Sequence, residues 1–260
     1  IVGDPHQAIY GFRGAHSDSM RVLGEKFSAK ELTLSYTFRC SQAATKLAKQ
    51  FVKQIEAAPS NLPGEVRNLG LNWEPSDVEE GSAVLCRNIA PLVKLGLKLI
   101  SEGRSAYIAG RDIGAPLIKA AKGISGTDLI ESIIRWENEE LIKAGSNLAL
   151  KERAYDISEA LQGVVHLSKV KDGPSLVLIL QQLFAKTDGS IVLSTIHRAK
   201  GLEWDNVFIL DWWRMPQKWI LRTIEEVPEA EWMLKQEDNL KYIALTRTKD
   251  KLTFISYPEK

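Results

Sequence analysis

Ser194-Thr195-Ile196-His197-Arg198-Ala199-Lys200-Gly201-Leu202-Glu203-Trp204 is the stretch whose reading decides the fold. It starts on the tail of a short apolar run, 191–195, and leads through a polar, glycine-containing turn into a second run, 206–211. Short apolar runs bounded by turn signals read as buried strands. Working outward, a helix is expected to lead into Arg247, followed by a strand at 251–256. On the N-terminal side, strands are expected at 1–4, 31–37, 82–87 and 105–109. A helix is expected from Ser41, its N-cap, with Ala44, Leu47, Ala48, Phe51, Val52 and Ile55 on one face, and another over 91–101 closed by Gly103. Residues 61–81 hold several Pro and Gly breaks and read as a surface excursion. Strands alternating with amphipathic helices give an α/β fold with a mostly parallel sheet.

Between about 127 and 187 the chain changes character. Leu129, Ile130, Ile133, Ile134, Leu141 and Ile142, then Ile157, Leu161 and Val164, then Leu176, Ile179, Leu180 and Leu183 mark three helical stripes. A helical insertion at 126–189 interrupting one α/β domain accounts for this better than two domains in series. The 34 Lys and Arg balance 33 Asp and Glu, so a broad positive field is excluded and any nucleic acid is held locally. No apolar run reaches the roughly 18 residues of a membrane span, which removes the membrane as a partner. Cys40 and Cys86 are isolated, as fits reduced thiols, and no His or Cys spacing supports a metal site. Cytoplasm is the expected location, or the nucleus for a eukaryotic source.

Four segments in order carry a resemblance to the UvrD/Rep family of superfamily 1 DNA helicases. The opening stretch resembles that family's fifth motif, and Ala244-Leu245-Thr246-Arg247-Thr248-Lys249 resembles its sixth. Gly3-Asp4-Pro5-His6-Gln7-Ala8-Ile9-Tyr10-Gly11-Phe12-Arg13-Gly14-Ala15 resembles the third, and Thr37-Phe38-Arg39-Cys40 the fourth. The phosphate-binding loop G-x-x-x-x-G-K-[ST] and the acidic pair that holds Mg²⁺ have no counterpart in these residues. The resemblance implies a second RecA-like motor domain of the P-loop NTPase fold, formed by 29–125 with 190–260. Residues 1–28 would be the tail of a truncated first RecA-like domain, packing loosely here, and 126–189 a reduced accessory subdomain.

The same resemblance implies the site. Gln7 matches the glutamine that senses the γ-phosphate of ATP, and Arg39 and Arg247 match two arginines that reach that phosphate across an inter-domain cleft. A guanidinium suits the task because it stays charged and presents a planar fork of donors. Phe38 stands where the family has a tyrosine stacked on adenine. Glu203 matches a ribose-binding carboxylate, and Gly201 would let the backbone approach the phosphates. Tyr10, Phe12 and Arg13, with Thr195, His197 and Arg87, are expected to face single-stranded DNA or a single-strand/duplex junction, aromatic faces stacking on bases. Lys249 and Lys251 read as solvated, and Trp212, Trp213, Trp219 and Trp232 as packing. The implied whole is an ATP-dependent 3′–5′ DNA helicase or translocase using Mg²⁺ held elsewhere, with a missing N-terminal RecA-like domain as partner and no activity in the fragment alone. A non-catalytic remnant that binds DNA or a partner is the rival. An RNA motor of a related branch would carry Gly-Asp-x-x-Gln-Leu-x-Pro and Gln-Gly-x-Glu, which this chain does not.

Overall fold

The computed structural model describes residues 2–11, 18–185 and 188–259, apart from the side chains of 111–113. Phe12 and Arg13 lie outside the described residues. In chain order the strands are β1 (Tyr36–Thr37), β2 (Glu56–Ala57), β3 (Glu65–Gly70), β4 (Ala83–Cys86), β5 (Ala106–Ile108), β6 (Ile191–Thr195), β7 (Trp204–Leu210) and β8 (Thr248–Ile255). The helices are α1 (Ser19–Lys26), α2 (Gln42–Ala48), α3 (Ala90–Ser101), α4 (Arg111–Ala121), α5 (Leu129–Ala144), α6 (Leu148–Ser168), α7 (Gly173–Ala185), α8 (Ile196–Ala199), α9 (Lys218–Glu226) and α10 (Trp232–Leu245). Six strands form one mostly parallel sheet in the order β3-β8-β7-β4-β6-β5, and β1 pairs with β2 in a separate parallel ribbon. The α/β architecture expected from the alternating pattern is the one found.

The chain divides into two compact units. One comprises 69–198, 208–214 and 254–260 and contains the main hydrophobic core. Its central strand β4 is buried on both faces, as its unbroken Ala-Val-Leu-Cys sequence dictates for a parallel strand. Helix α3 starts with Pro91 in its first turn and ends before Gly103, whose φ of +75° makes the left-handed exit. Asp156 of α6 accepts the N–H groups of Ile89 and Ala90, each at 3.0 Å, and so satisfies the donors at the start of α3. Asp128 and Asn147 cap α5 and α6 in the same way, each accepting the amide three residues on. The helices of 126–189 do not stand apart as a body of their own. Ile133, Leu161, Leu176 and Leu180 are buried in one cluster with Val84 and Leu95, beside the sheet.

The other unit comprises 1–68, 199–207 and 215–253. Here the helix expected from Ser41 through Ile55 stops at Ala48, because the next turn tightens, with Gln50 and Phe51 bonding back three residues. Val52 and Ile55 remain buried, so the periodicity located the apolar face and overran the helix. The expected strand over 31–37 shrinks to Tyr36–Thr37, leaving Leu32, Leu34, Tyr36 and Phe38 exposed on alternate positions. Two further expectations are corrected. Residues 2–4 form no strand, and the chain enters a 3₁₀ turn over Pro5–Gln7 capped by Asp4. The supposed surface excursion at 61–81 contains β3, an edge strand whose exposed Glu65 and Arg67 hid it from an apolar-pattern reading.

Candidate functional site

The unit built on α10 gathers most of the expected nucleotide residues. Arg247 follows the C-terminus of α10 and is 1% exposed. Its Nε donates to the Ile243 carbonyl at 3.0 Å, Nη1 to the Leu202 carbonyl at 3.2 Å and Nη2 to the Thr246 hydroxyl at 3.1 Å. All three acceptors are neutral, and among the described residues no carboxylate pairs with this guanidinium. Burial, and then the nearby Arg39 charge, push its pKa down to about 10, the mark of a cation short of counter-charge. A guanidinium has five N–H groups, so two of them are uncommitted among the described residues.

Arg39 sits at the turn after β1. Thr37 fixes that turn by accepting the amides of Arg39 and Cys40 on its hydroxyl, and Asn61 Nδ2 donates to the carbonyls of Thr37 and Cys40 at 2.7 and 2.8 Å. The Arg39 Nε donates to Glu203, whose other oxygen lies 3.2 Å from Lys249 Nζ. Hydrogen bonds from Arg39 and then Lys249 hold the Glu203 carboxyl below its ordinary range. Both carboxylate oxygens are thus engaged by cations. Lys249 is correspondingly a partner of the site and not the solvated charge expected of it. Cys40, next to Arg39, donates its thiol to the Thr246 carbonyl at 3.5 Å, and burial raises its pKa. Phe38 is 80% exposed, an aromatic face held out at the same turn. Gly201 has φ +91° with open space where a Cβ would be, so the position demands glycine for its backbone conformation and not for close packing.

The loop at 5–11 carries Gln7 and Tyr10. Gln7 Nε2 donates to Asp4 at 2.6 Å. Lys200 Nζ donates to the Gln7 carbonyl at 2.7 Å and lies 5.6 Å from the centroid of the Tyr10 ring. The expectation that 1–28 packs loosely is corrected for this loop. Asn239 of α10 donates its side-chain amide to the carbonyls of Pro5 and Ala8 at 3.1 and 2.9 Å. Gln236, one turn earlier, accepts the Gly11 N–H at 3.2 Å, and Ile9 is buried. Lys200, Asn239 and Gln236 were missed by sequence reasoning. Lys200 lay inside the quoted stretch, whereas nothing local marks Asn239 or Gln236.

Thr195, His197 and Arg87 belong to the other unit, where the structure brings them together. Strands β4 and β6 are parallel with Cys86 opposite Thr195, so Arg87 and His197 follow at neighbouring carboxyl ends of the sheet. That edge is the usual ligand-binding side of an open α/β sheet. Of the tryptophans expected to pack, Trp212 meets Phe254 edge-on with centroids 5.4 Å apart and Trp219 Nε1 donates to Gln217 at 2.9 Å, whereas Trp232 is 42% exposed. Asp211, fully buried, and Glu159 flank the Arg214 guanidinium at 3.1 and 3.0 Å. Burial pushes the Asp211 pKa up. Among the described residues no cluster of His, Cys, Asp or Glu could hold a metal, and no helix is long and apolar enough to cross a membrane.

Comparison with known proteins gives these motifs a context. F-box DNA helicase protein 1 of Schizosaccharomyces pombe is 28% identical over 279 residues, covering 97% of this chain and 30% of that protein. A probable DNA helicase II homolog of Rickettsia conorii is 33% identical over 112 residues, 41% of this chain and 16% of that protein. The chain therefore spans at most 30% of the length of these relatives. Among solved structures, the C-terminal domain of a possible DNA helicase from Lactobacillus aligns with 85% of this chain and 87% of that one, at 13% identity and a TM-score of 0.39. The profile of the UvrD-like helicase C-terminal domain matches residues 28–260, and with it the chain belongs to the UvrD-like helicase C-terminal domain family.

Proposed function

We propose that this chain supplies the second motor domain of an ATP-driven 3′–5′ DNA helicase or translocase, completing an ATP site with a first RecA-like domain carried outside these residues. The observation that carries the reading is Arg247, a buried guanidinium bonded, among the described residues, only to neutral oxygens, with a second arginine close enough to depress its pKa. Fixed cationic donors short of counter-charge suit the terminal phosphate of a nucleotide, on which charge builds during transfer. Phe38 offers a ring for adenine, and Arg39 waits on Glu203. Phosphate binding would draw Arg39 from Glu203, freeing that carboxylate to accept from a ribose hydroxyl. Because Arg247 is almost fully buried, its fork takes part only once the polar residues around it rearrange, and the Arg39–Glu203 pair is the one able to do so. Mg²⁺, held by the other domain, would neutralise phosphate charge.

On the DNA side, Tyr10 would stack on an unpaired base, with Thr195, His197 and Arg87 near the strand backbone. Single-stranded DNA, alone or at a duplex junction, is the proposed partner. The test is ATP turnover by the intact motor with and without oligo-dT, comparing the unsubstituted protein with Arg39→Ala. DNA-stimulated turnover that falls about a thousandfold in the variant supports the reading. A fall of less than about threefold returns Arg39 to an ordinary ion pair.

A further inference from the structure

We infer that Asn239 is a positioning residue that registers the loop at 5–11 against α10, so that Tyr10 and Gln7 are held by the helix that leads into Arg247, the arginine proposed to face phosphate. This inference deepens the function proposed above and rests on it for its DNA half.

Asn239 is 3% exposed, and its amide nitrogen reaches two carbonyls, Pro5 at 3.1 Å and Ala8 at 2.9 Å, more than two hundred residues away in sequence. Those carbonyls bracket Gln7, and Pro5 O also receives the Ala8 N–H that closes the 3₁₀ turn. One turn earlier on the same helix, Gln236 accepts the Gly11 N–H, next to Tyr10. Tyr242, farther along α10, meets the His6 ring at 6.3 Å. The loop is thereby gripped at three points by one helix, and eight residues beyond Asn239 the chain reaches Arg247. Buried side-chain amides are costly unless satisfied, so this clamp has one low-energy register. A base that displaces Tyr10 therefore works against α10, and movement of α10 carries the loop with it.

Asn239→Asp and Asn239→Leu keep the branched side-chain skeleton and remove the donor, Asp at nearly the same volume and Leu at a larger one. In the 260-residue chain both should speed amide exchange at Gln7, Ala8 and Gly11 by about tenfold, the worth of one lost net hydrogen bond, while 191–195 is unaffected. In the intact motor the concentration of oligo-dT giving half-maximal ATP turnover should rise about tenfold, with turnover at saturating DNA within about threefold. Asn239→Gln, which keeps an amide donor, should recover part of both effects. Unchanged exchange in both variants overturns the clamp. Faster exchange with unchanged half-saturation makes Asn239 a stabilising residue only and overturns its positioning role. If the unsubstituted motor shows no DNA-stimulated turnover, the proposed function fails and the DNA half of this inference falls with it, while the exchange measurement still decides the clamp.

Discussion

Replacing Arg247 with methionine should separate chemistry from stability. The side chain is 1% exposed and pairs with no carboxylate among the described residues, and the fall of its pKa from the ordinary arginine value to about 10 corresponds to a charge penalty of about 3 kcal/mol in the folded state. The sign follows from a base whose folded pKa is depressed. The penalty is fully present below pH 10 and fades only above it, so it operates at neutral pH. Methionine removes it while forfeiting three hydrogen bonds to neutral acceptors, a loss of about 1 kcal/mol each. Those terms nearly cancel, and the melting temperature of the 260-residue chain should move by no more than about 5 °C, as a change below about 2 kcal/mol implies at this size. On the proposed function, ATP turnover by the intact motor should fall about a thousandfold, since the lost cation is the one assigned to the transferring phosphoryl group. Calorimetry and a steady-state ATPase assay read the two effects. A loss of more than about 4 kcal/mol with turnover nearly intact would show that Arg247 exists to staple the Ile243 and Leu202 carbonyls, and the phosphate assignment would be refuted.

Four further outcomes are expected. Phe38→Ala should weaken nucleotide binding to the intact motor by about tenfold, a stacking contribution of roughly 1 to 3 kcal/mol, yet leave the melting temperature of this largely exposed position unchanged; equal affinities by titration calorimetry would remove Phe38 from the site. Glu203→Gln should cost little at neutral pH, and that cost should vanish as pH falls through the depressed Glu203 pKa, because a lowered carboxylate pKa stabilises only while the group is ionised. Thermal melts at pH 7 and pH 3 check it, and a difference that persists in acid speaks against the Arg39 and Lys249 pairs as its source. Arg214→Ala should destabilise by about 3 to 5 kcal/mol in denaturant titration, since it strands the buried Asp211 beside Glu159, whereas a loss under about 1 kcal/mol would mean water replaces the guanidinium. The 260-residue chain alone should not turn over ATP, having no phosphate-binding loop; measurable DNA-stimulated hydrolysis by the purified chain contradicts this.

What was legible in the sequence followed burial. The apolar runs of β4 and β6 and most of the stripes of α5 to α7 are dictated by which side chains leave water, and there the sequence and the structure agree, whereas Ile134 and Ile142 of the expected α5 stripe are exposed. Edge elements were not legible: β3 presents exposed Glu65 and Arg67, and its identity as a strand comes from a distant sheet neighbour. The site divides along the same line. Arg39, Glu203 and Arg247 were singled out because their local contexts match motifs, and the structure places them near one another. Asn239 and Gln236 were invisible because a buried polar side chain on a helix has no sequence period, and its meaning lies in a loop more than two hundred residues upstream. The helices at 126–189 were expected to form an insertion, and composition could not tell that their apolar faces share one core with β4.

The grip of α10 on the 5–11 loop falls mainly on the main chain: Asn239 meets two carbonyls and Gln236 an amide hydrogen. Every residue type offers a carbonyl, so the two Asn239 contacts are indifferent to the side chains at positions 5 and 8, whereas the Gln236 contact needs the amide and the bare Cα of Gly11. Ile9, which is buried, and Gly11, where a Cβ would strike the Gln236 amide and the Trp232 ring, are fixed by their surroundings, and the positions between and before them are held chiefly through the main chain. The side chain at position 10 can be altered to lengthen, shrink or recharge the surface offered to a ligand without redesigning its support. An engineer wishing to retune this protein would change position 10 and leave its mount on α10 alone.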